Sequence, residues 1–325
     1  MIPTNNLLRE MNIWERGIRV FNSHHAGKSF IGGHMASAFK TKDEYEKYLK
    51  QLEKGGMNIR RMSAYKFEDV RYDFNSLGFR SDEFASTDKT KILYMGCSFT
   101  EGFGVNKEDT WGWQFKELYE KKTGESIGYY NLGCSGWSID RSIRAFYLLI
   151  NEIGFKPDYV VFLCPPPLRQ EACAADFDLS ETPRIFGFPE FDYRDDPAGR
   201  VFNSQKMAAT RKRNLLLDFQ LKMVLFDQIC KVNDIKYVWG IWDPETFEHK
   251  PESHDLLFHA MPKHLVDTYA HEVKFPCPQR EFGLLENPSP IHIALDLMHP
   301  GPNHYKVFAK KFFEKFEGLY VQNSI

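Results

Sequence analysis

Short apolar segments alternate with longer amphipathic segments from Lys91 to the C-terminus, and this alternation restricts the fold more than any other feature of the chain. Four apolar runs have the length of buried strands, at 91–96, 129–132, 158–164 and 236–241. Apolar residues recur at helical spacing between and after these runs, at 110–122, 138–153, 211–233 and from about 301 onward. Repeated strand–helix units predict an open, mostly parallel sheet with helices on both faces. The expected fold class is therefore α/β, arranged as a three-layer α/β/α sandwich.

The segment before this pattern, residues 1–88, is more polar. It contains a helix candidate rich in lysine and glutamate at 41–54, which Gly55 and Gly56 would end. We predict that residues 1–88 form an N-terminal extension or accessory segment and that residues 89–325 form the main domain. Pro165, Pro166 and Pro167 stop the third predicted strand, and a long polar insertion is expected after them at about 168–208.

Charge and hydropathy argue against several classes of protein. The formal net charge of −2 gives no electrostatic basis for binding nucleic acid or an anionic membrane surface. No segment approaches the roughly 20 apolar residues that span a bilayer. Residues 1–20 carry charges where a signal peptide needs an apolar run. The sequence therefore predicts a cytoplasmic protein with no transmembrane segment and no nucleic-acid partner, and it leaves the oligomeric state open.

Cysteine and histidine spacing predicts neither a disulfide framework nor a metal site. The 6 cysteines are dispersed and form no Cys-x-x-Cys pair, which is typical of free, buried thiols. Histidines recur every five residues at His249, His254, His259 and His264, a spacing that does not keep them on one helical face. We expect no metal ion and no cofactor.

The candidate site follows from the predicted topology. Ligands of open parallel sheets bind beyond the carboxyl ends of the strands, and Ser98 comes directly after the first of these strands. A serine hydroxyl becomes a nucleophile when a base removes its proton and a third group orients that base. Asp296 and His299, spaced as Asp-x-x-His just before the last helix, supply such a pair. Taken alone, a serine there is more often a helix cap and such a pair more often a capping pair, so the case depends on their combination.

Three segments at these places resemble the SGNH (GDSL-like) hydrolase family: 94–105, 131–136 and 296–305. Cys97 stands where aspartate is commonest in that family. The resemblance covers roughly residues 72–320 in the family's chain order and implies a flavodoxin-like, mostly parallel sheet. It further implies that Ser98 is the nucleophile, His299 the general base and Asp296 its orienting carboxylate.

The oxyanion hole is where the sequence departs from this family. The backbone N–H groups of Ser98 and Gly133 are the expected donors to the developing negative charge. The family's third donor is an asparagine after the third strand, and the segment 163–169 holds no asparagine. Arg169 is the candidate replacement, as a donor or as a contact to an anionic substrate, although a plain surface role remains open.

The predicted function is that of a serine hydrolase acting on ester bonds. It would cleave an O-acyl ester of a small molecule, lipid or glycan through an acyl-enzyme, with no cofactor. Two alternatives remain open at this point: an O-acyltransferase that uses the same intermediate, and a catalytically weak or inactive binding or structural protein on a hydrolase fold. The missing asparagine, the N-terminal segment and the insertion are the reasons for keeping the last alternative.

Overall fold

The computed structural model describes residues 25–33, 39–54, 65–85, 87–165, 169–172, 184–186, 212–241, 271–273, 294–296 and 299–321. Its regular elements, in chain order, are β1 (Ser29–Ile31), α1 (Lys42–Lys54), β2 (Arg71–Asp73), β3 (Ile92–Gly96), α2 (Ser98–Glu101), α3 (Trp111–Thr123), β4 (Tyr130–Gly133), α4 (Ile139–Asn151), β5 (Tyr159–Cys164), β6 (Gln170–Ala172), β7 (Arg184–Phe186), α5 (Lys212–Val232), β8 (Lys236–Ile241), β9 (Glu272–Val273) and α6 (Pro302–Phe316). Short 3₁₀ turns lie at Phe67–Asp69 and Lys107–Asp109, and a π turn at Glu317–Val321 continues α6.

The central sheet has the order β4-β3-β5-β8-β9, and its strands pair in parallel. Counted from β3, this is the strand order 2-1-3-4-5 of flavodoxin-like sheets. The predicted α/β class is therefore confirmed, and the four predicted strands lie within a residue or two of the observed ones. The fifth strand, β9, was not predicted, because two residues carry no periodicity.

Alternate residues of β3, β5 and β8 face two separate hydrophobic cores. Leu93 and Met95 of β3 pack in one core with residues of α4 and α5. Ile92 and Tyr94 of the same strand pack in the other core with residues of α3 and α6. This alternation is what a pleated strand covered on both faces requires. Helices thus cover both faces of the sheet, which confirms the predicted three-layer sandwich.

The described part of residues 25–85 forms a third core and also joins the first. β1 and β2 pair as antiparallel strands. Aromatic residues of α1, β2 and the neighbouring turns pack around one another, among them Phe39, Tyr45 and Tyr72. Further along, Phe79 and Phe84 pack in the core beneath α4. The division between an extension and a main domain at residue 88 stays a prediction.

Within the predicted insertion the structure describes an antiparallel pair, β6 with β7. Most of 168–208 lies outside the described residues. Cys97, Cys134, Cys164 and Cys230 are buried, and none of these four forms a disulfide, as predicted. None of the described helices combines the length and apolar character that crossing a bilayer requires.

Candidate active site

A tight turn at the carboxyl end of β3 presents Ser98. Gly96 ends the strand, and a Cβ there would lie 2.1 Å from Thr100 Oγ1 and 2.6 Å from the Leu163 carbonyl oxygen, so only glycine fits. Helix α2 begins at Ser98, and the Thr100 hydroxyl donates back to the Met95 carbonyl over 3.2 Å. Ser98 is 3% exposed and lies at the sheet edge that the sequence indicated.

The structure brings the three predicted catalytic side chains together. His299 Nε2 lies 2.8 Å from Ser98 Oγ, and His299 Nδ1 lies 2.5 Å from Asp296 Oδ2. The backbone N–H of His299 also donates to Asp296 Oδ1 over 3.1 Å. Both carboxylate oxygens of Asp296 are therefore engaged by His299, which fixes the direction of the imidazole. With Nδ1 as the donor to Asp296, Nε2 is free to accept the serine proton.

Two phenylalanines hold the His299 ring in place. The ring of Phe103 lies 5.0 Å from that of His299 between centroids, and the ring of Phe99 lies 5.5 Å away. Both residues come from the turn that carries Ser98, so the segment that presents the serine also packs against the His299 ring. Neither residue was predicted to belong to the site. The sequence could have indicated them only by their positions in the segment 94–105, one and five residues after Ser98.

The backbone N–H of Ser98 is available to a ligand. It lies in the first turn of α2, where N–H groups have no acceptor within the helix. Among the described residues it has no hydrogen-bond acceptor. It therefore fits the predicted role of an oxyanion donor.

The backbone N–H of Gly133 has an acceptor inside the protein. It donates to Asn131 Oδ1 over 2.7 Å. A Cβ at Gly133 would lie 2.5 Å from the Glu101 nitrogen and 2.7 Å from Thr100 Cβ, so this glycine lets β4 pack closely on α2. The predicted role of Gly133 as an oxyanion donor stays a prediction, and its hydrogen bond to Asn131 would have to break for it.

Buried polar side chains attach the neighbouring loops to α2. The carboxylate of Glu101, 1% exposed, accepts from both the N–H and the hydroxyl of Ser135 over 2.5 Å each. The amide of Asn131 donates to the Thr100 carbonyl over 2.8 Å. The guanidinium of Arg80, also 1% exposed, donates to the Gly102 carbonyl over 2.7 Å at the end of α2. The helix that begins with Ser98 is thus fixed by three residues that were not predicted to belong to the site.

Arg169, Cys97 and four histidines are the other residues that the sequence brought into question. Arg169 lies between β5 and β6 with a partly buried side chain, and its contact to the oxyanion or substrate stays a prediction. Cys97 is fully buried in the core beneath α4, with its sulfur 4.0 Å from Ser98 Oγ. His249, His254, His259 and His264 lie outside the described residues. Within the described residues no group of histidine, cysteine, aspartate and glutamate could hold a metal ion.

Comparisons with known proteins give weak structural likenesses. No protein-family model matches the sequence, and no curated protein sequence matches it. The psychrotrophic esterase EstA from Pseudoalteromonas sp. is 13% identical, with a TM-score of 0.39 over 70% of this chain and 96% of that chain. A structure of TesA is 13% identical, with a TM-score of 0.41 over 70% of this chain and 98% of that one. A family 3 carbohydrate esterase from Clostridium thermocellum is 17% identical, with a TM-score of 0.37 over 70% and 94%. Likenesses this weak do not assign an activity to the chain.

Proposed function

We propose that this chain is a serine hydrolase of the SGNH (GDSL-like) family that cleaves O-acyl esters through an acyl-enzyme. The observation that carries the proposal is the continuous hydrogen-bonded series from Ser98 Oγ through His299 to Asp296. The resemblance of the three segments around Gly96, Gly133 and His299 to that family supports it. The five-stranded sheet, with Ser98 at the carboxyl end of β3, is the arrangement in which such a site is expected.

Acylation begins when His299 Nε2 takes the proton of Ser98 Oγ, as Oγ bonds to the acyl carbon and the carbonyl electrons move onto the oxygen. When the carbonyl re-forms, the bond to the alcohol oxygen breaks, and that oxygen receives the proton from Nε2. Asp296 stabilises the imidazolium during both transfers, because its carboxylate lies 2.5 Å from Nδ1. The products at this stage are a free alcohol and an ester on Ser98.

Deacylation repeats these steps with water. The His299 side chain is 19% exposed, so water can reach the base after the alcohol leaves. Nε2 takes a proton from water as the water oxygen bonds to the acyl carbon. The carboxylic acid leaves as Ser98 Oγ recovers the proton from Nε2. An O-acyltransferase would differ only in replacing water with an acceptor alcohol.

The negative charge of the tetrahedral intermediate needs donors preorganised around it. We assign the Ser98 N–H as one donor. The second candidate beside Gly133 is Gly136, whose N–H has no acceptor among the described residues. Gly136 has a φ of +78° and follows Ser135, which Glu101 holds against α2. Arg169 remains the proposed substitute for the family's asparagine.

Covalent labelling tests the proposal. A fluorophosphonate probe should modify the wild-type chain at Ser98, p-nitrophenyl acetate should give a burst of product, and Ser98→Ala should abolish both. Ser126→Ala, at an exposed serine after α3, is the matched control and should retain both. Failure of the folded wild-type chain to react with the probe and with acetyl to long-chain p-nitrophenyl esters would reject the hydrolase and favour a binding or structural role.

A further inference from the structure

We propose that the N-terminal segment is a positioning element of the active site, and that Tyr48 is the residue through which it acts on Asp296. The inference rests on the proposed function, in which Asp296 orients His299. Tyr48 Oη donates to the Asp296 carbonyl over 2.9 Å, across 248 residues of sequence. Tyr48 touches no reacting atom, so it is a positioning residue rather than a catalytic one.

A second tyrosine of the same helix holds the preceding peptide. Tyr45 Oη donates to the Leu295 carbonyl over 3.2 Å. Tyr45 and Tyr48 are three residues apart in α1 and therefore lie on one helical face. Burial raises the pKa of Tyr45 to about 12, so this phenol keeps its proton and remains a donor at neutral pH. Two successive carbonyls, those of Leu295 and Asp296, are thus bonded to α1.

Hydrophobic packing also joins the N-terminal segment to residues 294–296. The side chain of Leu295 is fully buried, and the cluster it joins is otherwise made of residues between 39 and 74. The residue next to Asp296 is therefore anchored in the core that the N-terminal segment builds, apart from the two cores on the sheet faces.

A third connection runs from β2 through the loop that follows α2. Tyr72 Oη accepts from the Gly104 N–H over 2.8 Å, and the Gly104 carbonyl accepts from the Leu295 N–H over 2.8 Å. Gly104 has a φ of +76°, and a Cβ there would lie 2.8 Å from Ala294 Cβ and 3.2 Å from Asp296 Oδ1. Backbone and side-chain contacts from α1, β2 and the Gly104 loop therefore converge on residues 294–296.

These connections matter because the proposed base depends on one carboxylate. A small displacement of a group that orients a catalytic side chain can lower the rate by about two orders of magnitude. The Asp-x-x-His segment precedes α6, and the structure describes no regular element at 294–296. The contacts from the N-terminal segment supply the rigidity that a helix or strand would otherwise give.

The test is Tyr48→Phe in the full chain, with Tyr320→Phe as the matched control. Near the amino end of β8, Tyr320 Oη donates to the Tyr237 carbonyl over 2.8 Å and also lies 3.3 Å from the Tyr237 nitrogen and 3.0 Å from His271 Nδ1. Both variants therefore remove a phenol that is bonded to a backbone carbonyl, and the control removes further hydrogen bonds as well. We expect Tyr48→Phe to lower kcat on p-nitrophenyl acetate about tenfold with KM within about twofold, and Tyr320→Phe to leave kcat unchanged. Tyr48→Phe should also speed amide hydrogen exchange in peptides that contain Leu295 and Asp296.

The two readouts separate this inference from the proposed function. If the wild-type chain hydrolyses no ester and resists the fluorophosphonate, the hydrolase proposal fails, and the exchange experiment still tests whether α1 holds residues 294–296. If Tyr48→Phe matches Tyr320→Phe in kcat and in local exchange, the positioning role is wrong. Faster local exchange with unchanged kcat in an active enzyme would likewise overturn it, because the contact would then stabilise the segment without serving the site.

Discussion

The carboxylate of Glu101 accepts two hydrogen bonds from Ser135, one from the backbone N–H and one from the hydroxyl, each spanning 2.5 Å. This pairing holds the loop after β4 against the helix that begins with Ser98. Both donors are satisfied by one buried carboxylate, so the loop position depends on a single side chain. Gly136, a candidate oxyanion donor, is the next residue in that loop.

Glu101→Gln should therefore weaken both the fold and the site. Both bonds end on one carboxylate oxygen, Oε2, so the amide oxygen of glutamine can still accept both, but the charge that strengthens them is lost, and we expect unfolding to become easier by about 1 to 3 kcal/mol. We expect kcat to fall about tenfold, because the loop that carries the candidate oxyanion donor Gly136 is held less firmly. Urea unfolding and ester turnover measure these effects. Glu314→Gln, on an exposed part of α6, should change neither, and an equal effect of both variants would refute the interpretation.

Asp296→Asn should stop catalysis while leaving the fold intact. An amide at this position can donate to His299 Nδ1, which leaves the proton on Nε2, the atom that accepts from Ser98 in the proposed mechanism. Loss of the correct tautomer lowers kcat by about 10⁴ in the well-studied serine proteases, and we expect a loss of similar size here. Circular dichroism and the turnover of p-nitrophenyl acetate check the two halves of this prediction. Activity close to the wild-type level would exclude Asp296 as the orienting group.

The sheet and the position of Ser98 could be predicted because they depend on local patterns. Apolar runs of strand length and helical periodicity can be recognised from residues close together in the sequence. The parallel order then brings the carboxyl ends of the strands to one edge of the sheet. The bond from Tyr48 to the Asp296 carbonyl could not be predicted, because it joins residues 248 apart without a pattern that pairs them. The hydrogen bond from the Gly133 N–H to Asn131 Oδ1 could not be predicted either, because no pattern in the sequence shows which acceptor this N–H meets. Such contacts follow from packing, which periodicity does not encode.

Gly133→Ala should destabilise the protein through crowding between β4 and α2. The added Cβ would lie 2.5 Å from the Glu101 nitrogen, a backbone atom that cannot rotate away. Overpacking of this kind costs about 1 to 3 kcal/mol, and we expect a lower urea midpoint with slower labelling of Ser98. Gly318→Ala is the control, because a Cβ at Gly318 meets no atom within 4 Å. Equal midpoints for the two variants would contradict the close packing.

Alkaline pH should unfold the protein through its buried tyrosines. Burial raises the pKa of Tyr45, Tyr129 and Tyr320 to about 12 each, above the ordinary value of about 10 in an unfolded chain. The folded state therefore holds these protons more tightly, so their stabilising contribution is complete below about pH 10 and is lost as pH rises towards 12. The free energy of unfolding, measured with urea between pH 8 and pH 12, should fall across that window. Tyr45→Phe should make the fall shallower, whereas Tyr147→Phe, at a tyrosine that is 50% exposed, should leave it as steep as in the wild type.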